Sequence, residues 1–344
     1  MDYICLDRSF QNPIWLKPIN VQWNARFYEC GDFCIQIPTS AYESCFSYVY
    51  CNERRQTGIV QKVYQEETLE GKFTQISGYF LERKLHNYVI HNTYTATGKN
   101  ICEACAEIVT TYCARENIII KDWGNLGEKI DKQVTGGHVD EVLYELLKTQ
   151  KLSFQLTYDF EDDQMYLSFV KGTDRTQSQE ENATITFSEA FKNISNVVYT
   201  GDSSNYKNFA YVTTGEGDAR IVVEVDMVKE GEERQELWVD ARDLQMSDTV
   251  TLEDLKLQMR QRGVEKLADY ANITNISFDI DTMMVVYTED FDLGDRADCI
   301  LVDMGLSYET DIIEANEVWK DNHHTVELVV GDKIPTKYDK LMKG

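Results

Sequence analysis

Apolar and polar residues alternate along two long stretches of the chain, Trp23 to Ile90 and Ile185 to Val330. A period of two marks strands that bury one face. In the first stretch, Phe33 to Pro38 alternates and stops at a proline, as a terminal or edge strand does. Gly58 to Tyr64 and Phe73 to Gly78 form two further strands, and Glu70-Gly71-Lys72 between them suits a hairpin turn. In Gly78 to Leu85, Leu81 and Leu85 stand four apart, the spacing of one short helical turn.

The pattern changes between the two stretches. Ile101, Cys105, Ile108, Val109 and Tyr112 fall on one helical face, and so do Val139, Val142, Leu143, Leu146 and Leu147 just after Gly136-Gly137. Ser153 to Tyr158 and Met165 to Val170 read as a β-hairpin turning at Glu161-Asp162-Asp163. Lys171 to Asn182 is polar and reads as a loop or domain joint.

From Thr184 the alternation returns, with strands at Thr184–Phe187, Val197–Thr200, Phe209–Thr213, Ile221–Val225 and Leu237–Val239. A helix interrupts them, its apolar positions at Leu252, Leu255, Met259, Leu267 and Ala271, and Thr251 before Glu253 and Asp254 marks its start. Strands resume at Ile276–Ile280, Met283–Tyr287, Ala297–Val302 and Val326–Val330, and Pro335 to Gly344 reads as a short basic tail. The resulting class is α+β, mainly β: two β-barrel-like domains with an inserted α/β domain and an additional helix. The boundaries fall at 1–95 for the first β domain, 96–183 for the insertion, 184–335 for the second β domain with helix 251–271, and 336–344 for the tail.

A chain of 344 residues exceeds the roughly 250–300 residues at which one core stops growing, so several subdomains fit. A net charge of −25 sets a negative field that repels phosphate backbones and disfavours direct nucleic-acid binding. Nine cysteines in a long chain do not make a small disulfide scaffold, and Met1 to Cys5 lacks the basic and apolar regions of a secretory signal. Reduced thiols from a cytoplasm are expected.

The residues that carry chemistry elsewhere carry little here. Cys102-x-x-Cys105 has only Cys113 close by and no histidine between, so it reads as helix core rather than a zinc or redox motif. Asp290-Phe291-Asp292-Leu293-Gly294-Asp295 opens like a calcium loop, but the position needing a bidentate Glu is Leu301, leaving a tight acidic turn between strands. His323, His324 and Glu327 are the best metal candidates, without the spacing of a zinc protease. His86 and His91 show no recognisable partners. Gly215-Glu216-Gly217 lacks the third glycine of a dinucleotide loop, and no Gly-x-Ser-x-Gly or phosphate-binding lysine motif occurs. No catalytic, cofactor-binding or metal residue is assigned, and no cofactor is expected.

Several segments, in order, resemble the tail-hub family of tailed bacteriophages, in particular siphophage baseplate hub or tail-associated proteins. They are Asn24-Ala25-Arg26-Phe27 with Gly31-Asp32-Phe33; Thr57-Gly58-Ile59-Val60 with Ile76-Ser77-Gly78-Tyr79; Gly172-Thr173-Asp174-Arg175; Phe187-Ser188 through Phe191-Lys192-Asn193-Ile194; Tyr206 to Val212; and Asp240 to Leu244 with Asp292-Leu293-Gly294-Asp295. The resemblance runs from about residue 15 to residue 330. It implies two tube domains per subunit, so that a homotrimer presents a pseudo-sixfold ring to a sixfold tail tube.

The implied function is structural and non-enzymatic: a tail-tip hub, symmetry adaptor and channel collar for host attachment and genome ejection. The implied partners are further copies, a distal tail or tail tube protein, a tape measure protein and a spike or tail fibre protein, with DNA only in transit and no stable membrane insertion. The location implied is the virion tail tip, after assembly in the bacterial host cytoplasm. An acidic lumen would keep passing DNA from adhering. Many relatives continue into wall-cleaving or fibre-binding modules, which this sequence lacks after Gly344, so receptor binding is expected of a partner. Trp23, Phe33, Phe187 and Tyr211 are expected in the core. Two other classes stay open on residues alone: a cell-wall or polysaccharide hydrolase, whose carboxylate pair needs only spatial closeness, and a secreted carbohydrate-binding module.

Overall fold

Strand segments dominate the protein, in a computed structural model that describes residues 2–69, 71–246, 251–321 and 323–333. Three α-helices stand among them in the described residues: α1 (Ile101–Tyr112), α2 (Val139–Lys148) and α3 (Leu252–Ala268). The class is α+β, mainly β. The tail expected from Pro335 onward lies outside the described residues. The chain divides into two compact units, one of Met1–Val198 with Ile276–Gly331, the other of Tyr199–Asn275 with the chain from Asp332.

In the larger unit, Leu306–Lys320 pairs antiparallel with His323–Gly331 on one side and Asn20–Arg26 on the other. The sheet then continues through Asp32–Pro38, Gly71–Phe80 and Thr57–Thr68. The two β-rich stretches therefore share one sheet. Alternation does what the sequence implied: Val21, Trp23, Ala25, Phe33, Ile35 and Ile37 are buried while their neighbours are not. Trp23 lies opposite Phe33 in register, with ring centroids 5.8 Å apart, and 4.8 Å from the Phe80 ring. Burying each such side chain contributes about 1.5–3 kcal/mol.

The block between the stretches packs into a second core that it shares with Leu6, Tyr48, Leu81, Leu85 and Ile90. The predicted faces of α1 and α2 are buried except Tyr112, which is half-buried, and they pack with Leu152, Phe154, Leu156, Leu167 and Phe169 of the predicted hairpin. Asn100 caps α1 by accepting the Cys102 N–H at 2.8 Å. The Ser153 hydroxyl donates to the Phe27 carbonyl and ties the hairpin to the main sheet. Leu81 and Leu85 sit in a 3₁₀ helix, Leu81–Asn87, and both are fully buried.

The smaller unit is a three-stranded sheet covered by α3. Phe209–Thr214 is central, antiparallel to Ile221–Asp226 and parallel to Glu236–Asp240. Ala210, Val212, Val223 and Val225 meet Leu255, Met259 and Leu267 of the helix. Thr251 starts α3 as expected, in a capping box with Asp254.

Three expectations are corrected. Met283–Tyr287 is not a strand but a turn-rich loop, in which Met283 is 94% exposed; burial alternates from Met284 to Tyr287, but turns occupy the segment where a strand was expected. The strand Leu306–Lys320 went unpredicted because a bulge between Ile312 and Glu314 shifts its phase and because Glu317 points inward. Of the expected core residues, Trp23, Phe33 and Phe187 are fully buried, but Tyr211 is half-buried on the sheet face away from α3, where its hydroxyl accepts from Arg234.

Candidate functional site

Two of the segments that carry the family resemblance meet in space. Gly172, at the end of the hairpin, rests against Gly294, and a Cβ at 172 would overlap the Gly294 carbonyl and the Asp295 nitrogen. Gly294 holds φ at 86°, the left-handed region that glycine occupies freely, above the Phe27 ring. Beside the glycines, the buried Asp295 accepts the Thr173 N–H at 2.7 Å and the Arg175 Nε–H at 2.6 Å. Asp174 accepts the Thr176 N–H at 3.0 Å, and Asp298 accepts the Gln177 N–H at 2.8 Å. The polar stretch after Lys171 is thus a pinned joint.

The would-be calcium loop does not converge. Asp290 accepts the Val286 N–H at 2.7 Å, Asp292 pairs with Arg55 at 2.8 Å, and Asp295 faces Arg175. It is a turn, as expected, but a partly buried and ion-paired one, and the segment before it is not a strand. Burial pushes the Asp292 carboxyl up, against the pull of the Arg55 charge.

A second cluster forms around Glu317, which is 0% exposed and opposite Trp23 in the sheet. Arg54 grips it with both ends of its guanidinium, Nε at 2.6 Å and a terminal nitrogen at 2.5 Å, and His324 Nε2 lies 2.9 Å from the same carboxylate. The guanidinium stands over Tyr287 at 5.5 Å, and the His324 ring stacks on Trp319 at 4.5 Å. Burial alone would draw Arg54 down, but the bonds and charge of Glu317 outweigh it and hold the guanidinium's pKa above its usual value. Of the metal candidates, only His324 joins this cluster; Glu327 lies by Asn316 at 3.4 Å. Among the described residues no three His, Cys, Asp or Glu side chains are placed to hold a metal.

A cleft of about 270 Å³ opens beside Arg54, lined by Arg55, Gln155, Tyr287, Thr288 and Asp292. Thr288 holds φ at 76°, a strained conformation for a β-branched residue. Both arginines of the cleft are ion-paired, Arg54 to Glu317 and Arg55 to Asp292, and Glu53 also lines it.

The remaining candidates are structural. Cys102 and Cys105 are buried in the α1 core, and burial pushes the Cys102 thiol up to about 11, the opposite of an activated thiolate. His86, expected to lack partners, stacks on His138 at 3.8 Å and lies 3.0 Å from the buried Asp140. Sequence reasoning missed Glu82. Its Oε1 accepts the Leu156 N–H at 3.1 Å, its Oε2 has no partner, and burial pushes its carboxyl up to about 7. It lines a small pocket of about 20 Å³ with Tyr144 and Arg26. Glu82 stands between Leu81 and Leu85 in the 3₁₀ helix, and only that helix's burial on more than one side exposes its role.

The segments Gly172 to Arg175 and Asp292 to Asp295 serve backbone contact and a buried ion pair, and the fold that they join is that of phage tail proteins. The chain belongs to the Siphovirus ReqiPepy6 Gp37-like protein family, whose profile matches residues 17–332, close to the range over which the sequence segments resemble tail hubs. It is similar to the tail protein from Neisseria meningitidis MC58, with a TM-score of 0.63 at 15% identity over 97% of each chain. It matches the 43 kDa tail protein of prophage MuSo2 from Shewanella oneidensis with a TM-score of 0.63 at 13% identity, over 96% of this chain and 98% of that one. Prophage tail protein gp18 from Listeria monocytogenes EGD-e gives 0.59 at 16% identity over 100% of both. No curated protein matches the chain. At these identities the neighbours share the fold.

Proposed function

We propose that the chain is a non-enzymatic hub of the phage tail tip, in which three copies close around a channel. The observation that carries this reading is the end-to-end fold match to phage tail proteins in a chain of siphovirus family. In this reading the two β-rich stretches act as paired barrel-like tube domains, and three copies offer six of them to a sixfold tube. An unpaired strand edge supports closure. Thr57–Thr68 pairs along its length with Gly71–Phe80, while on its other side, among the described residues, strand pairing covers Thr57 to Ile59 and one further bond joins the Val60 N–H to the Ser47 carbonyl. The free edge beyond suits main-chain pairing with a neighbouring copy.

The distal tail or tail tube protein sits above the hub, the tape measure protein within reach of the channel, and the spike or fibre protein below. The net charge of −25 gives the channel wall a surface that DNA passes without adhering. The test is the solution mass of the purified protein followed by negative-stain imaging. A trimer with a ring-shaped view supports the hub; a monomer alone and alongside its tail neighbours overturns it. Turnover of cell-wall or capsule substrates that vanishes with one carboxylate substitution would overturn the non-enzymatic part.

A further inference from the structure

We propose that one loop end of the larger unit, formed by Glu189–Asn193, Asp281–Val286 and Val302–Gly305, docks a different tail protein that presents an apolar socket with a basic rim. The inference rests on the tail reading and adds the surface and the kind of partner. Thr186–Ser188 runs parallel to Asp298–Ile300, so the loops that follow both strands leave at the same end. The Glu189 carboxylate accepts the Val302 N–H at 3.2 Å, and the Asn193 carbonyl accepts the Asp281 N–H at 2.9 Å. Asn193 is itself fixed, bonded to Ser188 N–H at 2.9 Å and to the Thr186 carbonyl at 2.8 Å. Behind these loops the buried Phe187 ring meets Phe278 at a tilt, with centroids 5.1 Å apart, and Phe291 edge-on at 5.4 Å.

This ordered end presents apolar side chains to solvent. Phe191 is 54% exposed, Met283 94%, Met284 56%, Val302 55% and Met304 46%. Single exposed apolar residues are ordinary, but a group of five on bonded loops marks an interaction surface. Three methionines among them supply unbranched, polarizable side chains that adapt to a partner's contour.

Charge selects the occupant. Glu189, Asp281 and Asp303 stand in the same three segments as the apolar residues, Glu289 and Asp290 follow in the same loop, and Lys192 is the cation among these segments. A second copy packed through the same face would set acidic rim against acidic rim, and its other faces belong to a chain of net charge −25. The same rim opposes an anionic lipid surface. A partner rimmed by Lys and Arg satisfies both the apolar centre and the charge.

The test is peroxide footprinting of intact virions and of the free chain, read by peptide mass spectrometry, with the fully buried Met259 as internal reference. Oxidation of Met283 and Met284 about tenfold slower in the virion than in the free chain supports the proposal, since susceptibility follows exposure. Equal rates in both overturn it. Protection of the free chain that grows with its own concentration assigns the surface to a second copy and also overturns it. Absence of the chain's peptides from the virion would instead overturn the tail reading, a separate outcome. A photo-crosslinker replacing Met283 should join a Lys- or Arg-flanked apolar segment of another virion protein; a cross-link to this chain contradicts the assignment. The variant Met283→Asp with Met284→Asp should keep the free chain's melting temperature and lose incorporation into particles; unchanged incorporation counts against the surface.

Discussion

Replacing Arg54 by methionine tests the account of the buried acid in the main sheet. Glu317 is fully buried, and both its oxygens accept from Arg54, at 2.6 and 2.5 Å. Removing one partner of a buried ion pair leaves an uncompensated charge and costs about 3–5 kcal/mol. His324, 2.9 Å from the same carboxylate, remains as a polar neighbour, so the lower end, about 3 kcal/mol, is expected. Methionine keeps much of the stem's volume but removes the guanidinium that stands over Tyr287 and Trp319, at 5.5 and 5.8 Å, so the loss includes those cation–π contacts with the ion pair. With a urea slope of about 2–3 kcal/mol/M, the unfolding midpoint should fall by about 1–1.5 M, followed by tryptophan fluorescence. Adding Glu317→Leu should recover most of the loss, because an apolar pair of similar volume costs little in such a site. A single-variant loss under about 1 kcal/mol, or a double variant as weak as the single, would refute the reasoning.

Gly172→Ala should cost about 3 kcal/mol or more, since its Cβ meets the Gly294 backbone rather than a movable side chain; Gly98→Ala, with φ of 60° and nothing within 4 Å, should cost only about 1–2 kcal/mol, and equal midpoints in urea would contradict the joint. Glu82 ionises near 4.5 when unfolded but near 7 when folded, so its contribution is fully present below about pH 4.5 and is lost as pH rises through 7. Glu82→Gln should therefore gain stability over the parent progressively across that window, by about 3 kcal/mol at the plateau, and a difference independent of pH would contradict the burial of this carboxyl. Thr251→Ala removes the capping box of α3 and should cost about 1 kcal/mol, read as a lower thermal midpoint of the smaller unit with a loss of helical circular dichroism; no change in either would contradict the cap.

The parts that alternation or helical spacing controls were readable in the chain. Trp23, Phe33 and Phe187 sit in the core, and the faces of α1 and α2 are those implied by Ile101 to Tyr112 and Val139 to Leu147. Leu306–Lys320 escaped because a bulge breaks its period and an inward Glu317 looks solvated until Arg54 is seen beside it. Met283–Tyr287 misled in the opposite way, since an apolar run reads the same whether it is buried in a strand or exposed in a loop. The meeting of Gly172 with Gly294 links segments more than a hundred residues apart, and no local pattern encodes it. The segments were recognisable through resemblance, but their shared role as a backbone contact was not.

The most direct test of the hub is cryo-electron microscopy of the intact tail with this chain traced in the map. The account predicts three copies at the tail tip, closed around the channel with acidic side chains toward its axis. Copies repeated along the tube, or a site away from the axis, would contradict it.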